Sequence, residues 1–258
     1  MTKVPIKSPE QIASMRAGGA KLVEVLTTVV KAAQVGVSLT ELDQLALAKI
    51  KELGAKPSFL GYQGYPATLC TSVNNGIVHC IPNSYQLQEG DLLSIDCGLI
   101  YQGMHSDSAV SIVVGQDIHG HGPLLASVYR ALLAGTNEVM AGVKVGQISE
   151  AIENSLYGDK LTIMRQFVGH GVGETLHEPP IVPNVVGHDK NVVLPEGSVI
   201  AIEPIAGTGR EAHSIDPDEW GARTMDGAPV AHFEHTVLVT EGGNEVLTPI
   251  DGIIQFRP

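Results

Sequence analysis

The sequence predicts an α/β (α+β) protein made of two related halves folded around a central antiparallel sheet, and three observations predict it. Residues 87–96 read LQEGDLLSID and residues 194–203 read LPEGSVIAIE, so a leucine, a Glu-Gly turn, an apolar run and a terminal acid recur in register. His105-Ser106-Asp107 is echoed by His232-Phe233-Glu234, each introducing a β-rich run. Upstream, Gly36-Val37 introduces one helix and Gly142-Val143 another. A duplication whose acids must converge favours one domain, residues 1–258, with halves of about 1–117 and 118–258.

In chain order, Ser8-Pro9-Glu10-Gln11 supplies an N-cap, a proline at the first helical position and a capping-box partner, which predicts a helix start. Ile12, Met15, Leu22, Val25, Leu26 and Val29 give that helix an apolar face until Gly36. Ser38 with Glu41 opens a second helix, which Gly54 ends. The Gly/Tyr-rich stretch from Lys56 to Pro82 has little helical character. An apolar run from Leu92 to Ile100, a turn at Gln102-Gly103 and a return run from His105 to Val114 predict a hairpin. IHGHGP at 118–123 reads as a solvated junction, its His119 and His121 included. The second half then offers a helix over Leu124–Met140 and another near Ile148–Leu156. VGHGVG follows at 168–173, then a Gly/Pro/Asp-rich loop from Glu203 to Val230, and a closing strand over Phe233–Thr240.

With 43% hydrophobic and 17% charged residues, the chain can bury a sizeable core. Its net charge of −12 argues against nucleic acid as the main partner. No run reaches the ~18 apolar residues of a membrane span. The three cysteines, Cys70, Cys80 and Cys97, are odd in number and unpatterned, which predicts reduced thiols in a cytoplasmic protein.

The hairpin carries acids where a core strand would place Val or Ile. A two-residue turn sets Asp107 opposite Gly98, and Asp96 then becomes its diagonal neighbour on the same face, ~7–8 Å away. Two anions that close repel unless a cation lies between them. The repeat adds Glu203 as the counterpart of Asp96 and Glu234 as that of Asp107. Two divalent cations would neutralise the four carboxylates. His170, flanked by glycines, adds a nitrogen, and the set suits Mn, Fe, Co or Zn rather than a thiolate-selected metal. Paired metals of this kind serve hydrolysis in aminopeptidases, among other enzymes.

Six motifs in order, YQGYP at 62–66, VHCIP at 78–82, the Asp96/Asp107 hairpin, GHGVGETLHEPP at 169–180, AIEP at 201–204 and FEHT at 233–236, resemble those of the type I methionine aminopeptidases. The resemblance covers the chain from Ser8 onward. It implies the duplicated pita-bread fold and a dinuclear centre held by Asp96, Asp107, His170, Glu203 and Glu234. It further implies that His79 and His177 are catalytic, that Glu203 relays protons while also holding metal, and that Tyr62, Tyr65, Cys70 and Trp220 form the substrate pocket with Phe59 and Leu176 beside them. His177 would stabilise the developing oxyanion, and His79 would contact the nitrogen side of the scissile bond. The implied substrate is the N-terminal methionine of nascent polypeptides with a small second residue, handled by a cytoplasmic monomer in possible association with the ribosome. The spacing of His170, Glu203 and Glu234 leaves no room for the insertion of type II enzymes, and no zinc-binding extension precedes Ser8, so a bacterial or organellar form is expected. The chain departs from the commoner pattern at Gln63, Leu176 and His232. Proline-directed peptidases share the fold and the five ligands, and a binding module that has lost the ligands is the other alternative.

Overall fold

Helix α1 (Pro9–Ala32) starts where the capping box places it: the Ser8 hydroxyl accepts from the Gln11 amide at 3.2 Å, and the Gln11 side chain accepts from the Ser8 amide at 2.8 Å. The computed structural model describes residues 3–254. Helix α2 (Leu39–Glu52) repeats the device with Ser38 and Glu41. Helix α3 (Gly122–Asn137) begins slightly ahead of Leu124, because Pro123 fits the first turn, where its missing N–H costs nothing. Helix α4 (Val145–Gly158) begins earlier than Ile148, since the Gln147 side chain closes back on the Lys144 amide at 3.1 Å and Val145 is already buried.

One apolar cluster gathers the inward faces of all four helices. It includes Leu22 and Leu26 of α1, Leu42 and Ile50 of α2, Val128 and Leu132 of α3, and Ile148 and Ile152 of α4, together with strand residues Leu93, Ile95, Ile200 and Ile202. Burial of each such side chain contributes on the order of 1.5–3 kcal/mol.

The strands on which the helices pack are antiparallel and form four separate hydrogen-bonded sheets among the described residues. The longest pair is the hairpin of Leu92–Tyr101 and Met104–Val113, closed by Gln102 and Gly103 at φ 50° and 81°. Positive φ at both central residues is the signature of the type I′ turn, whose twist matches the strands. The turn therefore has two residues, and Asp107 pairs with Gly98 as the sequence predicts.

In the second half, Val199–Ile202 pairs with His235–Thr240, and Ile205–Gly207 pairs with Val230–His232. Two expectations are corrected here. The segment from Glu203 to Val230 is not one loop, because Ile205–Gly207, His213–Ile215 and Ala222–Thr224 are short strands. The closing strand also begins at His235, since Phe233 and Glu234 interrupt the run after Val230–His232.

That interruption stitches the halves together. The Glu234 amide donates to the Ala109 carbonyl at 3.0 Å, and the Ser108 hydroxyl donates to the Glu234 carbonyl at 2.8 Å. The Thr236 hydroxyl accepts from the Asp107 amide at 3.0 Å and donates to its carbonyl at 2.7 Å. The Ser111 hydroxyl grips the backbone of His232 in the same two-way manner, at 2.9 and 2.8 Å. Acids distant in sequence are thereby fixed within one wall. Among the described residues no helix is long and apolar enough to cross a membrane.

Candidate active site

Asp96, Asp107, His170, Glu203 and Glu234 line one cavity of about 180 Å³. The same cavity is lined by His79, His177, Tyr62, Tyr65, Phe59, Cys70, Leu176 and Trp220, so every residue expected at the site is brought to it.

Each ligand candidate has a local reason for its position. Gly98 lies across from Asp107, and a Cβ on it would stand 2.7 Å from Cε1 of Phe59, so the glycine lets Phe59 pack over the hairpin beside the acids. Cys70 pairs directly with Asp96. The strand Gly169–Gly171 runs so close to its neighbour that a Cβ at Gly169 would meet the Ala201 carbonyl oxygen at 2.3 Å, which presses His170 towards Glu203. His170 Nε2 is 3.7 Å from Glu203 Oε1, and Asn184 holds the Glu203 carbonyl at 3.0 Å.

His79 sits at φ 57°, in the left-handed region, and this turns its ring out of the Gly76–Val78 strand direction into the cleft. A non-glycine residue there costs of order 1–3 kcal/mol and persists where the surroundings fix it. His177 borders the same space, with Nδ1 2.8 Å from the Tyr62 hydroxyl and its ring 4.2 Å from that of His170.

The charge pattern is that of a cation site. Burial raises the carboxyls of Asp96, Glu203 and Glu234 well above their ordinary values, mutual repulsion adding to it, and burial raises Asp107 to about 7. Asp96 Oδ1, Asp107 Oδ1 and Glu234 Oε1 are buried without a hydrogen-bond partner. One donor atom each from Asp107, His170 and Glu234 falls within 4.8 Å of the others. His170 Nδ1 lies 2.9 Å from the Gly171 carbonyl, which only accepts, so the proton is on Nδ1 and Nε2 keeps its lone pair. Burial lowers His170 to about 3 and so keeps it neutral. Orphaned acceptors, a neutral imidazole and hard oxygens fit divalent metal ions.

On the other side the lining is apolar. Phe59, Tyr65, Ala67, Cys70 and Leu176 form a buried cluster, and Trp220 meets Tyr65 edge-on at 5.1 Å. Tyr65 is oriented by its hydroxyl, which donates to the Leu69 carbonyl at 2.9 Å.

Sequence patterning left some contributors unseen. His232 is buried, with Nε2 unpartnered and 3.8 Å from Glu203 Oε2, although the sequence marked it only as a departure. Thr236, Ser108 and Asn184 act through backbone groups, and no motif announces such contacts. Lys7 forms a buried pair at 2.5 Å with Glu178, next to His177, and its only sequence signal is a lone lysine before a helix. His119 and His121 lie in the solvated junction, away from the cavity, as expected.

Comparison with known proteins agrees with this geometry. The profile of metallopeptidase family M24 matches residues 13–241. Methionine aminopeptidase 1 of Bacillus subtilis is 38% identical over 244 residues, covering 95% of this chain and 98% of that protein. The crystal structure of methionine aminopeptidase from Thermotoga maritima superposes with a TM-score of 0.92 at 36% identity, covering 95% of this chain and 99% of that one. A prolidase from Pyrococcus horikoshii shares the fold alone, with a TM-score of 0.79 at 23% identity over 95% of this chain and 64% of that one. The chain belongs to metallopeptidase family M24.

Proposed function

We propose that the chain is a methionine aminopeptidase that removes the initiator methionine of nascent polypeptides and prefers a small second residue. The observation that carries this reading is an apolar slot of one-side-chain size abutting four buried carboxylates and a neutral imidazole. At about 180 Å³ the cavity is smaller than the ~300–1,000 Å³ of sites for drug-sized ligands. A flexible, polarizable thioether fills such a slot, and the Tyr65–Trp220 corner offers the aromatic edges that sulfur favours.

Asp96, Asp107, His170, Glu203 and Glu234 would hold the metal, read here as two divalent ions of Co, Mn, Fe or Zn. When bound, the ions supply an activated water and polarise the scissile carbonyl. The residues of the chain do the rest. The acidic wall attracts the free amine of the peptide, and the apolar slot fixes the methionine side chain, which orients the carbonyl. His177 donates to the oxygen as negative charge develops on it. His79 borders the nitrogen side of the bond; crowding and the neighbouring His177 lower it to about 4, so it acts there as a neutral imidazole. The Glu203 carboxyl carries the proton that the departing amine needs.

Ligands drawn from both halves support a single catalytic domain over 1–258, with halves of about 1–117 and 118–258. Cys70, Cys80 and Cys97 are all buried and unpaired, which supports a reducing, cytoplasmic setting. A monomer acting on chains at or near the ribosome completes the reading. Mass spectrometry of a peptide panel tests it: Met-Ala and Met-Gly peptides should lose methionine, whereas Met-Lys, Met-Phe and N-acetylated peptides should persist. Equal cleavage of acetylated and free peptides would refute it.

A further inference from the structure

We propose that Gln63 and Tyr62 set the tautomer of His177: the Gln63 amide donates to the Tyr62 oxygen, the Tyr62 hydroxyl donates to His177 Nδ1, and the imidazole proton is thereby kept on Nε2. The inference rests on the reading of His177 as the oxyanion donor, and it makes Gln63 and Tyr62 positioning residues for that donor.

Donor and acceptor counting favours this direction. Gln63 Nε2 lies 3.3 Å from the Tyr62 oxygen, and an amide nitrogen only donates. With Gln63 donating to the Tyr62 oxygen, the arrangement that gives each group one donor and one acceptor role has the single Tyr62 proton directed at His177 Nδ1, 2.8 Å away. A neutral imidazole has one N–H and one lone pair, so an Nδ1 that accepts leaves the proton on Nε2. With the opposite direction, His177 Nδ1–H would donate to Tyr62, Nε2 would carry a lone pair, and a lone pair repels a developing oxyanion.

The backbone supports the arrangement. Tyr62–Gly64 form a single tight helical turn, with Gly61 at φ 88°, Gln63 at φ 48° and Gly64 at φ 92°. A left-handed conformation is uncommon for a residue other than glycine. Here it folds the Gln63 side chain back towards the hydroxyl of its own neighbour rather than away from the site. The Tyr62 and His177 rings stand 5.4 Å apart and tilted by 56°, so the hydroxyl reaches the imidazole edge while the tyrosine ring borders the cavity.

A glutamate at position 63 is the near-isosteric reversal, because a carboxylate only accepts and would draw the Tyr62 proton to itself. The test is the tautomer of His177 in zinc-loaded, ¹⁵N-histidine-labelled protein, read from two-bond proton–nitrogen correlations, with His177→Ala identifying the signal. The expected result is Nε2–H in the wild type, a mixture in Tyr62→Phe, and predominantly Nδ1–H in Gln63→Glu. Kinetics on a Met-Ala peptide should follow, with kcat lowered about three- to tenfold in Tyr62→Phe, as loss of one neutral hydrogen bond implies, and KM little changed because phenylalanine keeps the pocket wall. Tyr62→Phe should cost nothing further in a His177→Ala background. Nδ1–H in the wild type, or Nε2–H unchanged in both variants, would overturn the proposal. Should the wild type cleave no methionyl peptide, the functional reading fails instead, and the tautomer result stands by itself.

Discussion

Asp107 pairs with Gly98 across the hairpin, which makes Asp96, two residues before Gly98, the diagonal neighbour of Asp107 on the same face. Two ionised carboxylates so placed oppose folding unless cations or protons compensate them. The site is thus an electrostatic cost built into the longest strand pair, and bound cations would offset it.

The chelated protein should show that cost as a pH dependence. Asp107 is raised to about 7, and Asp96, Glu203 and Glu234 stand well above their ordinary values, so the fold retains protons that the unfolded chain has released. Stability from such groups is present below the ordinary carboxylate value near ~4 and is lost as pH rises through the raised values. Buried neutral histidines act oppositely: His170 and His232, both near 3, weaken the fold as pH falls below the ordinary histidine value of ~6.5. The window free of that opposition lies above about pH 6.5, where the melting temperature of the chelated protein should fall as pH rises. Metal-loaded protein should melt higher and be nearly flat in the same window. Calorimetry with and without chelator checks both slopes.

Replacing histidines should separate ligand from donor. His170→Ala should lose metal and activity together, because its Nε2 is oriented by the bond from Nδ1 to Gly171. His177→Ala should keep metal content and melting temperature but lose roughly 10²–10³-fold in kcat, the usual cost of one oxyanion donor. KM should change far less, since the missing contact forms mainly in the transition state. Metal analysis beside steady-state kinetics distinguishes the two.

Thr236→Val should destabilise the protein although position 236 supplies no ligand. It removes both hydrogen bonds between the Thr236 side chain and the Asp107 backbone, at 3.0 and 2.7 Å, in a fully buried seam. Leaving a buried amide and carbonyl unpaired costs about 1–3 kcal/mol each. Denaturant titration should show that loss, together with weaker metal binding, because the seam aligns Asp107 with Glu234.

Gly98→Val should damage the pocket and the fold together. Its Cβ would stand 2.7 Å from the Phe59 ring and 2.8 Å from Ser58 Cβ, inside contact distance. Overpacking of this kind typically costs about 1–3 kcal/mol. The measurements are thermal melting and the KM of a methionyl peptide, which should rise as Phe59 is displaced.

The clustered acids were legible in the sequence because of internal repetition and strand parity. Gln102-Gly103 is a turn whose length settles the register, and register alone put Asp96 and Asp107 on one face. The capping boxes at Ser8 and Ser38 were legible because cap and partner lie three residues apart. The strands between Glu203 and Val230 were not, because each is three residues long, and Ile205–Gly207 and Ala222–Thr224 borrow pairing from Thr162–Ile163 and Gly76–Val78, far away in sequence. His232 was visible only as an odd residue before FEHT. Its burial against Glu203 depends on the break at Phe233-Glu234, which alternation over a continuous strand does not anticipate. The pocket residues Tyr62, Tyr65 and Trp220 were placed by resemblance, not by physics, since aromatics in a Gly-rich stretch carry no signal of which cavity they border.

The most direct measurement of the central claim is the ratio of kcat/KM for a Met-Ala-Ser peptide to that for an Ala-Pro-Ser peptide, on metal-replete protein and again after chelation. The account predicts a ratio far above one, abolished in both numerator and denominator by chelation and restored by Mn, Fe or Co. Preferential cleavage of Ala-Pro-Ser, or full activity in thoroughly metal-stripped protein, would contradict it.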